Sequence, residues 1–157
     1  EETGETFEEN SKIKATAICE ATGLACLADD SGIEVAALHN APGVHSARFV
    51  PGSDADRTNK LLELMEGKTD RRARYVSVVT IVFPDGRVLS ARGESEGVLT
   101  HEWIGENGFG YDPIFYTEVF HKTYGQLTPE EKNSISHRGR ALKKLKSLLE
   151  MEENRHV

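Results

Sequence analysis

Residues 28–32 read Ala-Asp-Asp-Ser-Gly and close the short apolar run 24–28, Leu-Ala-Cys-Leu-Ala. An apolar run of this length is typical of a buried strand, and α/β proteins build active sites at the carboxyl ends of such strands. A buried carboxylate needs a cation, a metal or hydrogen-bond donors to offset its desolvation. Asp29 and Asp30 therefore indicate a functional site, unless Ser31-Gly32 is simply the corner of an Asx-turn.

Composition limits the classes of protein to consider. The chain has 157 residues, 38% of them hydrophobic, which predicts one domain with its own core. Its formal net charge of -7 argues against coating nucleic acid or an anionic membrane, because both need a basic surface. No apolar run reaches the roughly 20 residues that span a bilayer, so we expect a cytoplasmic protein. Cys19 and Cys26 are expected to be reduced thiols that pack in the protein.

A helix is predicted over Phe7–Thr22. Thr6 and Glu9 match a Ser/Thr-x-x-Glu capping box at its start, and Gly23 is a typical stop. The expected apolar face of this helix is built from four side chains: Ile13, Ala17, Ile18 and Ala21.

Two more helical regions follow the same rules. Asp54 is expected to cap a second helix that ends at Gly67 and buries one stripe: Leu61, Leu62, Leu64 and Met65. Thr128 and Glu131 form another capping box. Ser136 is expected to cap the last helix, in which Leu142, Leu145 and Leu149 share a face.

A hairpin is the main strand prediction. Residues 73–83 are rich in β-branched and aromatic side chains, Pro84-Asp85-Gly86 makes a turn, and residues 88–96 return. Residues 40–53 are predicted to be a loop, and residues 113–116 a short strand.

Three groups of residues could carry chemistry. Alternation along a strand would turn Asp29 and Asp30 to opposite sides, one toward a metal or water and the other in support. Glu9 has a capping role, which we favour on sequence grounds, or it shares a metal with Asp30. Their hard oxygen ligands suit Mg²⁺ better than zinc.

The second group is the glycine-rich stretch 108–112, Gly-Phe-Gly-Tyr-Asp. Its glycines would let the backbone approach a flat ligand, with Phe109 available for stacking and Asp112 as an acceptor. A tight loop with a core phenylalanine is an equal alternative. The third group is Lys132, His137 and Arg138, which suit phosphate or the carbonyl oxygens of a base, or are ordinary helix-end residues.

Some known sites are not indicated. The histidines, His156 among them, show no ligand spacing with each other or with cysteine, so a zinc site is not expected. The sequence contains no Walker A loop, no Gly-x-Ser-x-Gly elbow and no Rossmann fingerprint.

Six blocks, taken in order, closely resemble the inosine triphosphate pyrophosphatase family. They are residues 1–10 (Glu-Glu-Thr-Gly-Glu-Thr-Phe-Glu-Glu-Asn), 14–15 (Lys-Ala), 28–32 (Ala-Asp-Asp-Ser-Gly), 41–49 (Ala-Pro-Gly-Val-His-Ser-Ala-Arg-Phe), 108–115 (Gly-Phe-Gly-Tyr-Asp-Pro-Ile-Phe) and 131–139 (Glu-Lys-Asn-Ser-Ile-Ser-His-Arg-Gly). The resemblance covers essentially the whole chain.

The resemblance implies an elongated two-lobed α/β fold with a central mixed sheet flanked by helices, a nucleotide cleft between the lobes, and a homodimer. It also implies hydrolysis of ITP, dITP and XTP to the monophosphate and pyrophosphate. By the same resemblance, Glu9 and Asp30 are Mg²⁺ ligands, Asp30 is also the base for water, and Asp29 supports them. Lys14 and Lys132 are implied phosphate contacts, and the implied nucleotide contacts are Ser31, Phe109, Gly110, Tyr111, Asp112, His137 and Arg138.

One departure from the family concerns the start of the chain. Family members normally have a strand, a phosphate loop and a helix upstream of the first block, whereas this chain begins at that block. We therefore expect residues 1–157 to be a single domain that is truncated at its N-terminus relative to the family. Two other functions stay open: a nucleotide-binding module without turnover, and a phosphatase that releases phosphate stepwise.

Overall fold

The computed structural model describes residues 3–155 of the protein. Glu1 and Glu2, which begin the first block, and His156 lie outside the described residues. Within 3–155 the helices are α1 (Phe7–Thr22), α2 (Asp54–Leu64), α3 (Pro129–Ile135) and α4 (His137–Arg155). The strands are β1 (Cys26–Val35), β2 (Ala41–Pro42), β3 (Arg72–Val82), β4 (Val88–Leu99), β5 (Phe115–Thr117) and β6 (Lys122–Thr123).

The strands form one sheet in the order β2-β1-β3-β4-β5-β6. The β1–β2, β4–β5 and β5–β6 pairs are antiparallel, with Val35 opposite Ala41 and Leu99 opposite Phe115. The predicted hairpin is confirmed, because β3 and β4 are neighbours and Gly86 N donates to the carbonyl of Phe83 at 3.0 Å in the turn between them. The predicted α/β class is likewise confirmed.

Strand β1 corrects two predictions. It continues without a break from Cys26 to Val35, so the Asx-turn interpretation is wrong. Asp29 and Asp30 lie within the strand rather than at its carboxyl end. The strand continues past the aspartates because Ile33 and Val35 are fully buried in the core, and their burial stabilises the extended backbone there.

Helix α1 has the predicted bounds but a different buried face. Its buried side chains include Phe7, Ser11, Ala15 and Cys19, spaced four apart, whereas the predicted Ile18 is 45% exposed. Ala17 and Ala21 are exposed as well, and Ile13 is half-buried. The Ser11 hydroxyl lies 2.6 Å from the hydroxyl of Thr80 in β3, so a polar contact and small residues select this face.

Helix α2 is capped by Ser53 rather than by Asp54. The Ser53 hydroxyl accepts a hydrogen bond from Asp56 N at 3.2 Å, and Asp56 Oδ2 accepts one from Ser53 N at 2.8 Å. Leu61 and Met65 are fully buried as predicted, but Leu64 is 38% exposed. Asp54 is thereby the first residue of the helix, where its side chain is available for another contact.

The last two helices begin as predicted. Thr128 and Glu131 form the reciprocal capping box of α3, at 2.9 and 3.1 Å. The Ser136 hydroxyl accepts from Gly139 N at 3.1 Å and caps α4. Leu142 is 42% exposed, which is a correction, because the face of α4 that packs on the sheet is built from Ala141, Leu145 and Leu148.

Two other stretches differ in detail from their predictions. The predicted loop 40–53 contains β2 and a 3-10 turn over Gly43–Arg48. The predicted strand 113–116 begins instead as a 3-10 turn over Asp112–Ile114, and only Phe115–Thr117 pairs in the sheet.

The chain divides into two compact units. The first unit contains the chain up to Ser31, Val76–Glu94 and the chain from Ser136. Its buried clusters are Val79, Ala91, Ala141 and Leu145, and Ala15, Cys19 and Val82. The thiols of Cys19 and Cys26 are free.

The second unit contains Gly32–Tyr75 and Ser95–Ile135. Its core is larger and centres on three rings, Tyr75, Phe115 and Tyr124, whose centroids lie 4.4 to 5.5 Å apart. No helix within residues 3–155 has the length and apolarity needed to cross a membrane.

Candidate functional site

In the first unit, Lys14 holds the acidic part of β1. Its Nζ donates to the carbonyl oxygen of Asp29 at 2.9 Å and lies 3.7 Å from Oδ1 of Asp30. Asp30 is only 7% exposed, so an adjacent cation is what its buried charge requires. Helix α1 thus places a lysine beside the strand's buried carboxylate.

The side chain of Asp29 has different partners. Arg138 Nη2 donates to Asp29 Oδ2 at 3.1 Å, and the Ser31 hydroxyl lies 3.3 Å from the same oxygen. Ser31 also lies 3.0 Å from the hydroxyl of Ser77 in β3. The first unit therefore brings together five of the predicted site residues: Lys14, Asp29, Asp30, Ser31 and Arg138.

Glu9 lies in the first turn of α1 and is exposed. Thr6 accepts a hydrogen bond from Glu9 N at 3.0 Å, which confirms half of the predicted capping box. The Glu9 carboxylate contacts the Thr6 hydroxyl at 3.3 Å and Glu5 N at 3.4 Å. Both contacts are long, so the carboxylate is only loosely held in its capping role.

Helix α4 starts with His137 and Arg138, and it lies unusually close to β4. A Cβ built on Gly93 would be 2.2 Å from the carbonyl oxygen of His137 and 2.4 Å from Ala141 N. Only glycine fits this contact, which lets the first turn of α4, with Arg138 in it, lie against β4. Gly93 was not among the residues predicted from the sequence, although a glycine inside a strand pattern signals a close backbone approach.

In the second unit, Asp112 is a buried acceptor for three donors. Lys132 Nζ donates to its Oδ2 at 2.6 Å, Phe109 N to the same oxygen at 3.0 Å, and the Tyr75 hydroxyl to Oδ1 at 2.7 Å. Asp112 is 2% exposed. Burial, followed by the charge of Asp112, raises the pKa of Tyr75 well above its ordinary value, so the phenol keeps its proton and donates.

Gly108 is required where the glycine-rich stretch meets this acceptor. Its φ is +76°, and a Cβ there would lie 2.1 Å from Asp112 Oδ2. The stretch is a tight loop, as one interpretation predicted, but Phe109 is not a core residue, because its ring is 65% exposed.

The ring of Phe109 has a cation over one face. Lys132 Nζ lies 4.2 Å from the ring centroid, within the range of a cation–π interaction. A flat ligand can therefore stack on the ring from solvent, and the Lys132–Asp112 ion pair lies behind it. Tyr111 is buried instead, and its hydroxyl donates to the carbonyl of Ser46 at 2.7 Å.

Two residues of α2 that were not predicted as site residues hold the same loop. Asp54 Oδ2 accepts from Gly110 N at 3.1 Å, and the Thr58 hydroxyl donates to Gly110 O at 3.1 Å. Thr58 gave no local signal, since its partner is far away in the sequence. Tyr75 was missed for the same reason.

The carboxylates of the site are the candidate ligands for the expected Mg²⁺. Among residues 3–155, the structure brings no three His, Cys, Asp or Glu side chains together in one cluster. Mg²⁺ commonly uses only one or two protein carboxylates, with substrate phosphates and water as its other ligands. The buried carboxylate of Asp30 and the loosely held carboxylate of Glu9 fit that chemistry.

Comparisons with known proteins extend these observations. A family model described as the Ham1 family matches residues 1–148. The dITP/XTP pyrophosphatase of Symbiobacterium thermophilum is 55% identical over an alignment of 155 residues, and the match covers 95% of this chain and 78% of that protein. The dITP/XTP pyrophosphatase of Desulforamulus reducens is 51% identical over 153 residues, or 95% of this chain and 76% of that protein.

Solved structures agree with the sequence matches. The Ham1 protein of Staphylococcus aureus has a TM-score of 0.93 and 45% identity, covering 97% of this chain and 80% of that one. A HAM1 protein from Coxiella burnetii has a TM-score of 0.91 and 45% identity, covering 96% and 80%.

Proposed function

The chain belongs to the Ham1 family, and from this membership we propose that it hydrolyses noncanonical purine nucleoside triphosphates. The substrates are dITP, XTP and ITP, and the products are the nucleoside monophosphate and pyrophosphate. One observation carries the proposal: relatives named dITP/XTP pyrophosphatase are 51% and 55% identical over 95% of this chain.

The proposed chemistry is attack of water on the α-phosphorus. The water oxygen forms a bond to the α-phosphorus. At the same time the bond between the α-phosphorus and the oxygen that bridges it to the β-phosphorus breaks, and pyrophosphate leaves. Asp30 takes the proton from water, and Lys14, fixed against the backbone of Asp29, offsets the negative charge of the phosphates. Such a reaction depends on positioning and charge more than on covalent chemistry.

We also propose that Glu9 and Asp30 hold Mg²⁺ together with the substrate phosphates. The bound ion would neutralise charge on the phosphate oxygens. The support for this proposal is the oxygen-only donor set of these two residues.

The base of the nucleotide is proposed to bind at the glycine-rich loop. Phe109 stacks on it, Gly110, Tyr111 and Asp112 shape the loop, and Lys132 supports the ring from the opposite face. By the family resemblance alone, His137 and Arg138 are proposed as donors for the 6-oxo group. A 6-amino base would leave such donors unpaired, which costs roughly 1 to 3 kcal/mol for each buried group.

A homodimer acting in the cytoplasm is proposed on the family resemblance. Light scattering on the purified protein tests the dimer, and fractionation of the source cells tests the location.

Product analysis tests the function. The protein is incubated with ITP, dITP, XTP, GTP or ATP and Mg²⁺, and the products are separated by anion exchange. We expect monophosphate and pyrophosphate from the first three substrates and little from ATP. Orthophosphate with inosine diphosphate would indicate a stepwise phosphatase, and binding of inosine nucleotides without turnover would indicate a binding module.

A further inference from the structure

We infer that Asp54 and Thr58 of α2 are positioning residues that fix the Gly110 peptide and so hold the Phe109 ring ready for the base. The inference rests on the proposed function, because it assigns a purine base to that ring. It adds two residues to the site that neither the sequence motifs nor the family resemblance singled out.

Both polar groups of Gly110 are engaged by the same helix. Its N–H donates to Asp54 Oδ2 at 3.1 Å, and its carbonyl accepts from the Thr58 hydroxyl at 3.1 Å. Thr58 is fully buried, so its hydroxyl has a fixed environment. We call this pair of contacts the α2 clamp.

The clamp acts on a segment whose backbone is rich in glycine. Gly108 and Gly110 have φ values of +76° and +62°, and glycine has more accessible backbone conformations than any other residue. Phe109, between these glycines, is 65% exposed, so side-chain packing contributes little to the placement of its ring. The ring is therefore placed by Lys132 against one face and by two backbone contacts: Asp112 accepts a hydrogen bond from the Phe109 N–H at 3.0 Å, and the α2 clamp holds the next residue.

Helix α2 is a firm support for the clamp. Its N-terminus is capped by the Ser53–Asp56 capping box. Toward its C-terminal end, Leu61 and Met65 are fully buried in the core. Arg57 donates to Asp54 Oδ1 at 3.0 Å and to the carbonyls of Val50 and Gly52 at 3.3 and 3.0 Å. The hydrogen bond from Arg57, followed by that from the Gly110 amide, keeps the pKa of Asp54 below its ordinary value.

A pre-positioned ring lowers the entropy that a stacking ligand must remove from the loop. Loss of the clamp should therefore weaken binding of the base while leaving the phosphate chemistry of the first unit unchanged. The expected result is a higher KM with an unchanged kcat, which is how a loss of uniform binding is expressed.

The test compares Thr58→Val, which replaces the hydroxyl with a methyl group of the same shape, with Thr58→Ser, which restores the hydroxyl. Thr117→Val is the matched control, because Thr117 is a buried threonine whose hydroxyl accepts from Val119 N away from the loop. Three readouts are taken: KM and kcat for ITP, inhibition by pyrophosphate, and the calorimetric Kd of IMP. Asp54→Ala provides an independent second variant from the other half of the clamp.

We expect Thr58→Val to raise KM for ITP and Kd for IMP by roughly 5- to 30-fold, as for the loss of about one hydrogen bond to the partly buried Gly110 carbonyl. We expect kcat and inhibition by pyrophosphate to stay within about twofold of the parent. Thr58→Ser should return both constants to within about threefold of the parent, and Asp54→Ala should raise them. The inference is overturned if Thr58→Val and Thr117→Val behave alike, if kcat falls without a change in KM, or if the serine variant does not recover.

Failure of the proposed function is distinguishable from failure of the inference. A parent protein that binds IMP but releases no pyrophosphate contradicts the function, while weaker IMP binding by Thr58→Val would still support the clamp. A parent protein that neither hydrolyses ITP nor binds IMP overturns both.

Discussion

The ammonium group of Lys132 lies 2.6 Å from the carboxylate of Asp112, and both side chains are largely buried. The same ammonium also contacts the exposed ring of Phe109, at 4.2 Å from the ring centroid. A charged group that sequence reasoning and the family resemblance associate with phosphate is thus bound to the loop that we propose for the base. Replacing Lys132 should therefore lower the free energy of unfolding.

Lys132→Met should destabilise the protein by roughly 3 kcal/mol, because it leaves the buried carboxylate of Asp112 without its cation. Asp112→Asn in the same chain should recover part of the loss, since the neutral amide no longer needs that cation. Urea unfolding of both single variants and the double variant measures the coupling. Independent, additive losses would show that the pair contributes nothing as a pair.

Gly93→Ala should destabilise the protein by about 2 kcal/mol or more, because the new methyl group would overlap the backbone of His137 and Ala141. Glu96→Ala, at an exposed position of the same strand, is the control and should change stability little. Thermal and chemical unfolding provide the measurement. Equal stability of the two variants would mean that α4 shifts freely away from β4.

Tyr111 gives a prediction for alkaline pH. Its burial raises the pKa of the phenol from 10.0 to about 12. A raised pKa in the folded state means that the stability contribution is complete below pH 10 and is lost as the pH rises toward 12. The free energy of unfolding of the parent should therefore fall more steeply than that of Tyr111→Phe between pH 10 and 12, as followed by urea titration at each pH. Parallel curves would show that Tyr111 titrates normally in the fold.

Arg138→Gln should reduce selection of the base. If Arg138 donates to the 6-oxo group, the ratio of kcat/KM for ITP to that for ATP should fall roughly 5- to 30-fold. Arg140→Gln is the control two residues along α4, where the native arginine binds the carbonyl of Glu94 at 2.8 Å. A ratio that is unchanged in Arg138→Gln, or that falls equally in the control, would remove Arg138 from base recognition and leave it as the partner of Asp29.

Much of the fold follows from local sequence signals. The α1 bounds, the β3–β4 hairpin and the caps at Thr128 and Ser136 rest on residues close in sequence, and all are confirmed. The prediction of the buried face of α1 was wrong, because tertiary packing determines which face of the helix is buried. Ser11 and Ala15 turn toward the sheet, where a small or hydroxyl-bearing side chain fits, while the larger Ile18 stays exposed.

In the candidate site, too, residues in local motifs could be predicted, and residues that act through tertiary contacts could not. The motifs identified Asp30 and Phe109, and the structure places Lys14 beside the first and Lys132 beside the second. The roles of these residues in binding and catalysis stay predictions. Thr58 could not be found from the sequence, since its contact with Gly110 spans 52 residues and follows no motif.

The most direct test of the account is the release of pyrophosphate from ITP by the parent protein and by Asp30→Asn, with Asp85→Asn in the exposed hairpin turn as the control. We expect IMP and pyrophosphate from the parent and the control, and a kcat lower by about 10²- to 10⁴-fold in Asp30→Asn, as for loss of a general base. Undiminished release of pyrophosphate by Asp30→Asn would contradict the proposed mechanism, and no release by the parent would contradict the proposed function.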